Sequence, residues 1–213
     1  MSGECFQPVL PVGMSGREEQ VRRLGFLGGS FDPVHLGHLM AAQDAFESMA
    51  LVKVVFVPTA QSPLKEAVPG VSDEDRLALL RAAIGQDGRF DISMSEINRG
   101  GVSYTIDTVD VLRDENPDAR LFWIIGADQA ASLSGWHRID ELAVRVEFIV
   151  LDRPGYDWRR SGPGPGIRLH PIKSRLLDIS SSEIRRRARA GLSLKNLVPE
   201  EVASEISRLH LYH

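Results

Sequence analysis

The stretch that decides the fold runs Leu24-Gly25-Phe26-Leu27-Gly28-Gly29-Ser30-Phe31-Asp32-Pro33-Val34-His35-Leu36-Gly37-His38. Leu24, Phe26 and Leu27 lead into the Gly28-Gly29 pair as a short buried strand ending in a tight turn would. Directly behind it Leu39, Met40, Ala42, Ala45, Phe46 and Met49 recur at helical spacing, so a helix over residues 38–49 follows the turn. Strand, glycine turn and helix in that order form the first half of a βαβ unit.

Working outward, Lys53 to Val57 is a β-branched and aromatic run stopped by Pro58. Its unbroken apolar character suits a parallel strand covered on both faces. Ser72 can cap a helix carrying Leu77, Leu79, Leu80, Ala83 and Ile84, after a Pro- and Gly-containing loop over 59–71 whose length marks it as functional. Short strands are expected at 90–93, 121–125, 147–151 and 167–170, and helices at 105–116, 181–190 and 199–209. SGPGPG at 161–166 can hold neither element and reads as a mobile surface loop. Alternating strands and helices predict an α/β, doubly wound parallel sheet with ligands at the carboxyl ends of its strands.

A chain of 213 residues with 43% hydrophobic and 25% charged residues fits one globular domain with an adequate core. Residues 1–20 mix Gly, Pro, Ser and charged residues without periodicity, so a disordered extension is expected there and a single domain over 21–213. The formal net charge of -4 argues against a broad nucleic-acid footprint, which needs a basic excess. No apolar run is long enough for a membrane span and no signal peptide is evident. The lone Cys5 cannot pair within the chain, so a cytoplasmic protein is expected; self-association is left open.

The chemistry concentrates in two places. Between a strand end and a helix start, backbone N–H groups point at an anion, and the glycines let the backbone approach it without a Cβ in the way. His35 and His38, three apart at the helix entrance, can present both imidazoles on one side and donate to phosphate oxygens. The spacing excludes the dinucleotide glycine fingerprint, the Gly-Lys-Ser/Thr phosphate loop and the zinc motif with Glu inside a histidine pair. The second place is Ile179-Ser180-Ser181-Ser182-Glu183-Ile184-Arg185, where hydroxyls gather at a helix start with Arg185 about one turn further on. Serines also cap helices and Arg185 to Arg187 with Arg189 also suit a solvated face, yet two helix starts facing one crevice would hold a whole triphosphate.

GGSFDPVHLGH at 28–38, SYTIDT at 103–108, GAD at 126–128, Trp136 and ISSSEIR at 179–185 together resemble the bacterial nicotinate mononucleotide adenylyltransferases of the HxGH nucleotidyltransferase superfamily, from about Arg22 to the C-terminus. The resemblance implies a Rossmann-like nucleotidyltransferase fold and adenylyl transfer from ATP to nicotinate mononucleotide. Magnesium is implied with ATP, no covalent enzyme intermediate is formed, and no metal-binding side chain is assigned. It implies His35 and His38 at the phosphates and the transition state, with Gly28, Gly29 and Ser30 as the phosphate cradle. Ser181, Ser182 and Arg185 would grip the leaving pyrophosphate, and Lys65 would lie near the phosphates. Gly126 and Asp128 would meet the adenosine ribose. The acceptor's ring would stack on Trp136 and its carboxylate would enter the helix start at Tyr104 and Thr105.

Three features depart from the family pattern: Ser182 where Thr is common, His137 after Trp136 where an aromatic is frequent, and the N-terminal extension. Rival readings are an adenylyltransferase for the amidated mononucleotide or for phosphopantetheine, and a nucleotide sensor without turnover. SYTIDT and ISSSEIR speak against the former, and the paired histidines with Arg185 against the latter.

Overall fold

A computed structural model describes residues 21–61, 70–152, 164, 166–175 and 177–213. The expected disordered extension at 1–20, Lys65 in its loop and most of the 161–166 tract lie outside the described residues. The strands are β1 (Arg23–Gly29), β2 (Lys53–Pro58), β3 (Phe90–Ile92), β4 (Arg120–Gly126), β5 (Glu147–Asp152) and β6 (Leu169–Lys173). They form one parallel sheet in the order β3-β2-β1-β4-β5-β6. The order reverses between β1 and β4, and the crevice outside the carboxyl ends of those two strands is where a doubly wound sheet binds ligand.

The helices are α1 (Leu36–Ser48), α2 (Asp73–Ile84), α3 (Ser95–Arg99), α4 (Thr105–Glu115), α5 (Ala127–Ala131), α6 (Ile139–Ala143), α7 (Ser181–Arg189) and α8 (Glu200–Arg208). They divide between the two faces of the sheet. Along β4 the alternate residues Phe122 and Ile124 join a core with α1, α2, α7 and α8. Leu121, Trp123 and Ile125 join a second core with α4, α5 and α6. The period-2 alternation of a strand thus turns one continuous apolar run into the floor of two cores.

Every strand and helix expected from the sequence is present, with ends moved by one to three residues, the most at β6, expected at 167–170. Two strands keep a proline: Pro58 is the last residue of β2, and Pro171 sits inside β6, an edge strand whose outer side needs no ladder donor. Helices α3, α5 and α6, each of five residues, were not expected, because a helix that short completes no apolar period. Among the described residues no helix is long and apolar enough to cross a membrane.

Candidate active site

The turn after β1 is held in an uncommon shape. Phe31 is left-handed, with φ of 47°, which costs a non-glycine residue on the order of 1 kcal/mol. Its ring is fully buried and meets His38 and Phe56 edge-on at 5.0 and 5.5 Å. Burying a phenyl side chain contributes about 1.5–3 kcal/mol, enough to hold the turn. From α2, the buried Arg76 donates to the Ser30 carbonyl at 2.7 Å. At Gly28 a Cβ would stand 2.7 Å from the Trp123 ring, so only glycine lets that indole close against the turn.

His35 and His38 stack, with ring centroids 3.7 Å apart and planes 24° from parallel. His38 Nδ1 accepts the backbone N–H of His35 at 3.3 Å, which puts the proton of the neutral ring on Nε2. Burial pushes the His35 pKa down to about 4, because the low-dielectric surroundings disfavour the charged form. His35 is therefore a neutral donor at physiological pH, and its Nδ1 has no hydrogen-bond partner among the described residues.

The second anion segment lies against the first. Ser180 caps α7 by accepting the Glu183 N–H at 3.2 Å. Ser181 donates its hydroxyl to the Pro33 carbonyl at 2.9 Å, and Arg185 Nη1 donates to the Asp32 carbonyl at 2.6 Å. Arg185 Nη2 also donates to Ser182 Oγ at 3.2 Å. The Ser181 hydroxyl proton is thereby committed to Pro33. The convergence predicted from the two motifs is thus present, and Arg185 supplies a permanent cation.

Beside this junction opens a cavity of about 520 Å³ whose lining includes Gly28, Gly29, Ser30, Tyr104, Thr105, Asp128, Trp136 and His137. The volume suits a small ligand. Gly28 to Ser30 line it, as do Tyr104 and Thr105 at the N-terminus of α4. Trp136 is half-buried, and His137 lies on Tyr104 with ring centroids 4.3 Å apart. Gly126 closes β4, and its N–H goes to Gln129 Oε1 at 3.2 Å. A Cβ on Gly126 would strike Asp128 Oδ1 at 2.5 Å, so the exposed Asp128 carboxylate leans across the strand end. The lining does not include His35, His38, Gly126, Ser181, Ser182 or Arg185.

Several residues of this region are given no role by the sequence reading. Asp32 accepts the Tyr212 hydroxyl at 2.8 Å and the Gly70 N–H at 2.7 Å. Asp44, buried in α1, accepts the Arg175 backbone N–H and Nε, both at 2.7 Å, and so fixes the approach to α7. Glu96 reaches the cavity from α3; burial pushes its pKa up, against the Thr108 and Ser103 hydroxyls and the Arg99 and Arg76 charges. Thr108 donates to Glu96 Oε1 at 2.7 Å, and Glu96 Oε2 has no partner among the described residues.

The cytidylyltransferase-like family model matches residues 26–187. The "Probable nicotinate-nucleotide adenylyltransferase" of Opitutus terrae is 49% identical over 190 residues, covering 89% of this chain and 97% of that protein. The chain belongs to the nicotinate-nucleotide adenylyltransferase family. A second member, from Herpetosiphon aurantiacus, is 41% identical over 90% of this chain and 99% of its own length. A solved Plasmodium falciparum nicotinic acid mononucleotide adenylyltransferase, complexed with NaAD, superposes with a TM-score of 0.73 at 17% identity, covering 90% of this chain and 97% of that one. At that identity the likeness speaks for the fold, and nicotinate-nucleotide adenylyltransferases of distant origin share the sheet described above.

Proposed function

We infer that this chain joins the adenylyl group of ATP to nicotinate mononucleotide, giving nicotinate adenine dinucleotide and pyrophosphate. One observation carries the reading: the histidine turn and the serine-tipped α7 meet at Pro33 and Asp32, beside a cavity that offers an indole and the start of α4. The acceptor's ring is a pyridinium bearing a carboxylate. Trp136 gives the cation an aromatic face, and the N–H groups at Tyr104 and Thr105 give the anion a helix start.

The acceptor's phosphate oxygen attacks the α-phosphorus of ATP, the bond from that phosphorus to the bridging oxygen breaks, and pyrophosphate leaves with its electron pair. The nucleophile is already ionised, so no general base is needed, and catalysis is alignment plus charge stabilisation. His38, through Nε2–H, and the neutral His35 donate to the transferring phosphoryl oxygens. Arg185 and the backbone at Ser181 and Ser182 receive the pyrophosphate, while Gly28, Gly29 and Ser30 let the phosphates approach the backbone. Asp128 and Gly126 face the adenosine ribose, and Lys65 is assigned to the phosphates. With magnesium bound to ATP, the ion would neutralise charge on the phosphate oxygens. Among the described residues no group of three or more His, Cys, Asp or Glu is placed to hold an ion, and Asp32 at the turn is already engaged by Tyr212 and Gly70.

The test is pyrophosphate release from ATP with nicotinate mononucleotide, its amide, or phosphopantetheine as acceptor at equal ATP. Preference for the acid is expected. Equal or better use of the amide or of phosphopantetheine, or ATP binding without turnover, overturns the reading.

A further inference from the structure

The end of the chain is built into the phosphate site. Tyr212 is 7% exposed and belongs to the core packed by α1, α7 and α8. Its backbone and that of His210 are left-handed, with φ of 65° and 51°, a conformation few non-glycine residues adopt. The Leu211 N–H, bonded to the Ile206 carbonyl at 3.0 Å, holds the turn in place. Backbone held in so sparse a region commonly marks a functional constraint.

What the turn delivers is a hydroxyl. Tyr212 donates to Asp32 Oδ1 at 2.8 Å, a buried contact between residues 180 positions apart. Burial, with the Asp32 carboxylate beside it, pushes the phenol well above its usual range, so the proton stays on the oxygen. Asp32 is an awkward neighbour for a triphosphate: a buried carboxylate beside the phosphate turn repels the phosphates and competes for the cation meant for them. Its Oδ2 forms a long ion pair with Arg185 Nη1 at 3.7 Å, while the same Nη1 makes a shorter hydrogen bond to the Asp32 backbone carbonyl at 2.6 Å. Among the described residues the two strong donors on the carboxylate are the Tyr212 hydroxyl and, on Oδ2, the Gly70 N–H at 2.7 Å.

We propose that Tyr212 is a positioning residue for the phosphate site: its hydroxyl anchors the Asp32 carboxylate so that its ion pair with Arg185 stays long and does not close to a direct hydrogen bond, leaving that guanidinium available to the pyrophosphate end of ATP. Without the hydroxyl, Oδ1 loses its donor in a buried place, and the carboxylate turns toward the nearest cation. This rests on the proposed adenylyl transfer for its ligand, but the contact geometry stands by itself.

The experiment compares wild type with Tyr212→Phe in the full chain, measuring MgATP and pyrophosphate binding by calorimetry, then kcat and both KM values. The variant keeps the buried ring. Tyr212→Phe is expected to weaken MgATP and pyrophosphate about tenfold, lower kcat, and leave the acceptor KM within about twofold, the loss of one charge-assisted hydrogen bond. Because the hydroxyl acts through Asp32, adding Tyr212→Phe to Asp32→Asn is expected to change binding less than about twofold further. Wild-type binding in Tyr212→Phe with only a lowered Tm overturns the proposal, as does a full additive loss on top of Asp32→Asn. If the wild type failed to turn over nicotinate mononucleotide, the functional reading would fall, while the binding comparison would still decide the role of Tyr212.

Discussion

A β-carbon placed on Gly37 would stand 3.0 Å from Nδ1 of His35 and 3.1 Å from its Cε1. A side chain at the glycine between the two histidines would therefore make the His35 ring, which stacks on His38, give by a few tenths of an ångström. Gly37→Ala adds a methyl in the first turn of α1, where alanine is otherwise the better helix former by up to about 1 kcal/mol. The expected outcome is a split, with Tm unchanged within a few degrees and kcat reduced about tenfold or more as the ring stack is displaced. Steady-state kinetics beside thermal unfolding checks it, and unchanged kcat would show that the stack is dispensable.

His35 also ties stability to pH. Its pKa is near 4 in the folded protein and about 6.5 in an unfolded chain. Between those values the unfolded state binds the proton and the folded state does not, so stability rises with pH across that window and levels off above it. The span corresponds to about 3 kcal/mol at most. Urea unfolding at several pH values from 4 to 8 should give a steeper rise for wild type than for His35→Asn. Parallel curves would mean the imidazole is as easily protonated when folded as when free.

Trp136 is expected to serve the acceptor alone. It lines the cavity with Tyr104 and Thr105, while the α7 residues that meet the turn do not. Trp136→Ala should raise the KM for the mononucleotide by about tenfold or more, the scale of a lost cation–aromatic and stacking contact, and leave ATP binding nearly intact. Equal loss of both would make the indole a packing residue, held by its edge-on contact with Phe148 at 6.2 Å.

The limits of reading the sequence follow from how far apart the partners lie. Strand, turn and helix at 24–49 were legible because apolar spacing and glycines act locally. Both helix starts, at α1 and α7, are legible because a helix start announces itself through caps and hydroxyls. Asp32 with Tyr212 and Asp44 with Arg175, 180 and 131 positions apart, leave no local pattern; each pair exists only after the sheet has brought α1, α7 and the chain end together. The sequence also cannot show that His35 is neutral, since that follows from its burial.

Glu96 should act on pH in the opposite direction to His35. Burial raises its pKa in the folded protein, so above the ordinary glutamate range the folded state keeps a proton that the unfolded state has released, and stability falls as pH rises through that interval. Glu96→Gln keeps an acceptor for the Thr108 hydroxyl, which donates to Oε1 at 2.7 Å in the wild type, and removes the titration. The variant is expected to lose this downward trend and so to rise more steeply with pH than wild type, whereas His35→Asn rises less. Because Glu96 lines the same cavity as Thr105, its ionisation also opposes a carboxylate bound at the α4 start. The KM for the acid acceptor should therefore climb as pH rises above the ordinary glutamate range in wild type and stay level, a few-fold lower at the upper end, in Glu96→Gln. Identical KM profiles for the two proteins would place the Glu96 charge out of reach of the acceptor.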